Sequence, residues 1–385
     1  MPVATRWHIF CRIVDNYGDA GVCWRLARQL AAEHALDVTL WLDHLAPLAR
    51  MAPGVRAELP TQRASHVTIR RWIDPFDHSE VADVVVEAFG CGVPDRYVDA
   101  MARRSMPPAW FVLEYLSAES WVDASHAVGS PHPRLPLARR FWFPGFTPRT
   151  GGLLRERGLT DARDRFVDDE ARQKAFWASL RVPPPAPHEV RASLFCYPNA
   201  ALPALLDAWA LGDTPVGCIV AEGVAQDSVE RWTGGRSPRP GTPFVRGALA
   251  LHAIPFLAQD DYDRLLWLCD MNFVRGEDSF VRAQWAARPF VWHIYRQADN
   301  AHLAKLDAFL GLYLDALDAT SASSARAFWR AWNGASGAAA IPHAWRAFRA
   351  ALPDLRRHGR AWADRLARQR DLASGLAVAA KIWYN

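Results

Sequence analysis

Lysine is nearly missing from this 385-residue chain: Lys174, Lys305 and Lys381 are the only three among 45 basic residues. Arginine supplies the rest in an alanine-rich background, which is the coding preference of a GC-rich genome and not a chemical signal. Acids number 41, so the formal net charge is only +4, and no basic run stands apart from them. Nucleic acid or an anionic membrane would call for such a run, and neither partner is expected. The six cysteines, Cys11, Cys23, Cys91, Cys196, Cys218 and Cys269, are widely spaced and form no C-x-x-C pair. That disfavours zinc and dithiol chemistry and predicts small buried residues in a reducing compartment. No apolar stretch approaches the roughly 20 residues of a membrane helix. The segment MPVATRWHIFCRIV lacks a secretion signal's charged start, apolar run and cleavage site, so a cytoplasmic location is expected. Gly90-Cys91-Gly92 runs on into Pro94 and Asp95 without a third glycine, which disfavours a nicotinamide dehydrogenase.

What is present is hydrophobic sequence, half of the residues, enough for two domains that each bury a core. Trp7 to Val14 reads as a strand, Asp15 to Gly21 as a turn, and the next residues as a helix. Val22, Leu26 and Leu30 recur four apart beside Ala27 and Ala31, while Arg25, Arg28 and Gln29 fall on other faces. Further strands are expected at 37–43, 66–73, 81–90, 109–116 and 141–146. From Pro148 to about Glu189 the sequence turns charged and proline-rich, which marks a boundary. A second series follows, with strands at 191–199, 215–223, 247–256 and 271–276 separated by helical patterns. Apolar strands alternating with helices predict α/β units with parallel, doubly wound sheets. The expected divisions are 1–180, 181–360 and a helical end, 361–385, that crosses back to the first domain.

Three constellations could carry chemistry. Asp15-Asn16-Tyr17-Gly18-Asp19 lies between the end of the first strand and a helix start, the edge that faces the ligand crevice in open α/β sheets. Capping by Asp19 and an Asx turn at Asp15 are the plainer alternatives. Glu277-Asp278-Ser279 follows the strand at 271–276 and opens another helix. Backbone N–H groups there suit a diphosphate, Ser279 can add a hydroxyl, and Glu277 can accept from sugar hydroxyls; an ordinary cap is the competing account. Phe195, Tyr197 and Phe256, with Gln259 nearby, stand at strand ends where rings can sandwich a pyrimidine while an amide reads its edge. Eighteen tryptophans warn that aromatics are more often core. The acids of Asp261-Tyr262-Asp263 are read as helix-start charge and not as a metal site. His126, His252 and His293 make no hydrolase pattern, and Glu114 is a further crevice candidate.

The unbroken words DNYGDAGVCWRLARQL, LEYLSAESWV, FPGFTPRTGGLLRE, SLFCYPN and GEDSFVRAQWAARPFVWHIY closely resemble the EarP family, bacterial protein-arginine rhamnosyltransferases that mature translation elongation factor P. The likeness runs from about residue 8 to about residue 300. It implies a GT-B fold, two Rossmann-like domains facing across a cleft, the first binding the acceptor and the second the nucleotide sugar. It also implies inverting transfer of L-rhamnose from dTDP-β-L-rhamnose to one arginine of elongation factor P, with no cofactor or metal. Carried to matching positions, Asp19 resembles the catalytic base and Asp15 its supporting acid, with Asn16, Tyr17 and Gly18 beside the donor. Phe195, Tyr197, Phe256 and Gln259 resemble the thymidine pocket, and Glu277, Asp278 and Ser279 the ribose and diphosphate grip. Tyr262 stands where the resemblance leads one to expect an aromatic near the nucleotide.

Arginine is a poor nucleophile while protonated, so a close carboxylate has to orient it and take a proton as the C–N bond forms. Two other readings make different demands. A GT-B enzyme with an envelope glycan acceptor would show a basic amphipathic membrane-surface segment. A non-catalytic translation-factor or RNA-binding module would show a clustered basic stripe and steep salt dependence.

Overall fold

A computed structural model describes residues 6–15, 17–76, 80–297 and 300–384. The chain forms two compact units, residues 1–157 with 366–385, and residues 158–365.

In the first unit eight strands form one sheet: β1 (Arg6–Cys11), β2 (Asp37–Leu42), β3 (Thr61–Ala64), β4 (Val67–Arg71), β5 (Val84–Ala88), β6 (Ala109–Leu113), β7 (Gly129–Pro131) and β8 (Ala138–Trp142). Their order is β3-β4-β2-β1-β5-β6-β8-β7. The edge strands β3 and β7 pair antiparallel and the inner six run parallel, with Ile9 between Leu40 and Val86. The inner strands read as near-continuous apolar runs because both faces are covered. Val84, Val86 and Ala88 point into one core, with Cys23, Leu26 and Leu30 of the helix Gly18–His34; Val85 points into the other, with Phe10, Trp41 and Tyr97.

The C-terminal helix Leu372–Trp383 adds Leu372, Leu376 and Ala380 to the first of these cores. That explains two residues whose spacing put them on outward faces. Arg25 is buried and ion-paired with Glu156, and Gln29 donates to the Arg155 carbonyl and to Asp371 at 2.9 Å. The strand expected at 141–146 ends at Trp142, since Pro144 has no N–H for a ladder and the chain turns so that Gly145 donates to Gly152.

The second unit holds β9 (Val190–Leu194), β10 (Val216–Ala221), β11 (Phe244–Arg246), β12 (Leu249–Ile254), β13 (Met271–Arg275) and β14 (Phe290–His293), in the order β11-β12-β10-β9-β13-β14. Only β11 is antiparallel to its neighbour. The charged stretch expected to separate the domains contains two helices, Leu159–Val167 and Glu170–Ser179, and from Gly158 onward it belongs to this unit. Phe166 packs edge-on to Trp267, and Arg163 donates to the Trp285 carbonyl, so a few apolar anchors outweigh the polar composition. Most of the 18 tryptophans are buried, including Trp209, Trp329 and Trp332 here, which accounts for the aromatic content as core. Among the described residues no helix is long and apolar enough to cross a membrane.

Candidate active site

In both sheets the strand order reverses direction at one point, between β1 and β5 and between β9 and β13. Ligands of open α/β sheets bind outside the carboxyl ends of strands at such points. The sequence candidates sit on those ends.

In the first unit the chain leaves β1 and enters the helix Gly18–His34 with Tyr17, not an acid, at the N-cap. Asp19 lies one residue inside the helix and is 3 % exposed. Its Oδ2 accepts the backbone N–H groups of Val14 at 2.8 Å and Asp15 at 2.9 Å, so this carboxylate fastens the preceding loop instead of capping the helix. Burial raises the Asp19 pKa, and the charge of Asp15 adds to the rise. The two backbone N–H groups and the Tyr115 hydroxyl pull it down without cancelling it. Asp15 is half-buried, and Gly18 donates its N–H to the Asp15 carbonyl at 2.6 Å. A Cβ on Gly18 would stand 2.7 Å from Asp15 Oδ2, so glycine makes room for that carboxylate. Tyr17 accepts a bond from Arg50 at 2.6 Å. Asn16 falls outside the described residues.

Tyr115, just past β6, was not singled out from sequence. Its ring is stacked on Phe89, 4.5 Å between centroids and 18° between planes, and its hydroxyl is near enough to Asp19 to lower that acid's pKa. It is 40 % exposed, so a surface aromatic reaches the buried acid. The available signal was position: an aromatic directly after a parallel strand, beside Glu114. Glu114 is half-buried, with its pKa raised by burial and by the charge of Glu87.

In the second unit Phe195 and Tyr197 follow β9 and are half-buried. The Arg275 guanidinium, at the end of β13, lies over both rings, 4.6 Å and 4.7 Å from their centroids. Sequence reasoning passed over Arg275, although it directly precedes the Gly276-Glu277-Asp278 turn. Phe256 is half-buried beyond β12. Gln259 is buried, and its amide donates to Asp278 at 2.9 Å, which joins two residues that had been given separate tasks. Glu277 is the N-cap of the helix Asp278–Trp285. The Ser279 hydroxyl donates to the Arg275 carbonyl and accepts the Arg275 N–H at 3.1 Å, so it ties the helix start to the strand end. Tyr262 lies tilted against Phe195, 5.6 Å between ring centroids, and its buried hydroxyl has no hydrogen-bond partner among the described residues. Asp263, grouped with helix-start charge from its spacing, is instead a buried partner of Arg282, with two bonds of 2.9 and 2.6 Å.

The three candidate histidines are uncharged at neutral pH. Burial lowers His126 and His252, and drives His293 down to about 4, with Arg275 adding to the last.

The sequence profile of the family described as Elongation-Factor P (EF-P) rhamnosyltransferase EarP matches residues 7–381. The chain belongs to the EarP family. It is 47 % identical over 370 residues to a protein-arginine rhamnosyltransferase of Pseudomonas putida, covering 96 % of this chain and 97 % of that one. A protein of the same name from Neisseria meningitidis is 37 % identical, covering 78 % of this chain and 77 % of its own. A solved EarP structure, concerned with EarP-mediated arginine glycosylation of translation elongation factor EF-P, superposes with a TM-score of 0.69 at 36 % identity over 98 % of each chain. An α-glucosyltransferase bound to UDP and DNA, 8 % identical with a TM-score of 0.50 over 99 % of this chain and 100 % of that one, shares the fold alone. As an EarP member the chain is a GT-B glycosyltransferase of the protein-arginine rhamnosyltransferase class. The EarP match also takes in the Ala-, Arg- and Trp-rich tail, where the resemblance of sequence words ended near residue 300.

Proposed function

We propose that this enzyme moves L-rhamnose from dTDP-β-L-rhamnose to an arginine of elongation factor P, with inversion at the anomeric carbon. The observation that carries the proposal is Asp19: a carboxylate at the switch point, locked by two backbone N–H groups and made more basic by burial, in a chain of a rhamnosyltransferase family. Asp19 takes a guanidinium proton as the arginine nitrogen bonds to the anomeric carbon, and the C–O bond breaks with its electron pair leaving on the nucleoside diphosphate. Asp15 holds the cationic guanidinium by a charge-assisted bond until that proton is lost, and Tyr115 keeps Asp19 in register.

In the second unit Phe195, Tyr197 and Phe256 give ring surface to the thymine. Gln259 and Asp278 act as one bonded pair toward the nucleoside, and Glu277 accepts from sugar or ribose hydroxyls. Arg275 and the backbone N–H groups at the start of the helix Asp278–Trp285 receive the charge that builds on the diphosphate, so the proposal includes no metal and no cofactor. An acid–base inversion has no covalent enzyme intermediate, and a β-configured donor gives an α-linked product.

Intact-mass spectrometry of elongation factor P incubated with the enzyme and dTDP-β-L-rhamnose tests this directly, with Asp19→Asn in parallel and the anomeric configuration read by NMR. A gain of one deoxyhexose on an arginine, α-linked and lost in the variant, is the expected result. Modification that survives Asp19→Asn would remove the base assignment, and an unmodified factor with a donor that binds would remove the acceptor.

A further inference from the structure

At the opposite, amino-terminal edge of the second sheet lies a cavity of about 440 Å³ whose lining includes Arg163, Arg288, Arg356, Arg357 and Arg360 against one carboxylate, Asp364. Arg288 stands just before β14, and Arg356 is bonded to Asp270, just before β13. The candidate nucleotide residues follow the other ends of those strands, so the cavity lies about a strand length, roughly 15 Å, from them.

Packing explains part of this arginine cluster. Arg163 bonds to Asp164 and caps the Trp285 carbonyl, and Arg357 pairs with Asp354. Arg288 is different. It is half-buried and its Nε donates to the Trp267 carbonyl at 3.0 Å, but its two terminal nitrogens have no partner among the described residues. Burial lowers its pKa; the charge of Asp270 raises it, and the like charges of Arg356 and Arg360 bring it down again. The nearest compensation for Arg360 is Asp164 at 3.8 Å, a loose pair. The backbone is shaped to hold this arrangement. Ala287 takes φ 55°, unusual without glycine, and at Gly359 an added Cβ would lie 3.3 Å from the Arg288 carbonyl, so glycine brings the helix Leu352–Ala367 close over the segment.

A half-buried guanidinium whose two terminal nitrogens make no hydrogen bond, in a cavity lined mainly by arginines, is completed by an anion, and its planar donors match two oxygens of a phosphate group. We infer that this cavity is a binding site for a phosphate group, with Arg288 as the bidentate anchor and Arg356 and Arg360 as flanking charges. A concave site of this volume fits a small molecule, either free phosphate or a phosphate monoester, better than an extended partner.

The test is isothermal titration of the full-length enzyme with inorganic phosphate and, separately, with glycerol phosphate, at constant ionic strength set by chloride. Wild type is expected to bind one equivalent saturably. Arg288→Lys keeps the charge and loses the fork, and Arg356→Ser/Arg360→Ser removes the flanking charge from an accessible helix face; each is expected to weaken binding by about tenfold or more. Tighter binding of the ester would identify a phosphorylated metabolite as the occupant, and tighter binding of phosphate the free ion. No saturable binding, or binding that both variants retain while circular dichroism shows them folded, overturns the inference. The second outcome also covers phosphate bound only at the sugar-nucleotide end of the sheet.

Discussion

Replacing Gly18 with alanine separates what the acidic loop does for folding from what it does for catalysis. Gly18 begins a helix and its φ is not in the left-handed region, so alanine is conformationally acceptable there. The conformational gain is about 0.5–1 kcal/mol, or about 1–4 °C in Tm for a unit of this size. The three atoms nearest the new Cβ all belong to Asp15, with Oδ2 at 2.7 Å, and ordinary contact begins near 3.4 Å. The carboxylate, the free end of a short side chain, therefore moves by about 0.7 Å. Because a misplacement of about 1 Å at a reacting group costs on the order of a hundredfold, kcat/KM for rhamnosylation of elongation factor P is expected to fall between about tenfold and a hundredfold. Donor binding, read by titration with dTDP, stays unchanged. Asp15→Ala in the Gly18→Ala background should cost nothing further if the two act through one carboxylate. An unchanged kcat/KM at intact Tm would refute a role for the Asp15 position, and a loss of several degrees would refute the claim that only that carboxylate yields.

Asp19→Asn should abolish turnover, by about 10²–10⁴-fold, while raising thermal stability at neutral pH. The sign follows from linkage: a carboxyl whose pKa is raised in the fold stabilises it below the unfolded value and loses that contribution as pH climbs through the folded one, whereas Asn keeps an oxygen for the Val14 and Asp15 N–H groups and never ionises. Melting curves from pH 4 to pH 8 check it, and a Tm gap that does not open toward high pH would count against the raised pKa. Tyr115→Phe keeps the stack on Phe89 but removes the hydroxyl that lowers the Asp19 pKa, so the acid limb of the kcat/KM profile is expected to move to higher pH; an unmoved limb would leave Tyr115 a purely structural ring. Asp263→Ala strands the buried Arg282 guanidinium and should cost about 3–5 kcal/mol in denaturant unfolding, against a near-neutral Asp263→Leu/Arg282→Met double variant. A small loss in the single variant would mean that water reaches that pair.

Periodicity alone found the parallel-sheet class and the inner strands, because a strand buried on both faces has to be written in apolar residues whatever surrounds it. The strands it missed are edges or short pieces: β3, β7 and β11 carry alternating or polar residues, and β14 spans four residues inside the apolar word ARPFVWHIY. The candidate acids and aromatics were visible because strand ends in open sheets fall where turn chemistry interrupts apolar runs. Their partners were not. Nothing in the spacing tied Tyr115 to Asp19, Gln259 to Asp278 or Asp263 to Arg282, since each pair is brought together by neighbouring strands or helices far apart along the chain.

The sequence by itself determined the architecture, the loops that carry the chemistry and, through its long motif words, the family. Only the tertiary structure decided which helix covers which face and where each charge is neutralised. It buried Arg25 against Glu156 and Gln29 against Asp371 at the start of the C-terminal helix, gave the charged stretch after residue 157 to the second unit, and left the terminal nitrogens of Arg288 without a hydrogen bond among the described residues. The physical reason is the range of the forces. Hydrophobic patterning is a local property repeated every two or four residues, whereas burial of a polar group and the sign of its neighbours depend on elements that meet only after the sheet has formed.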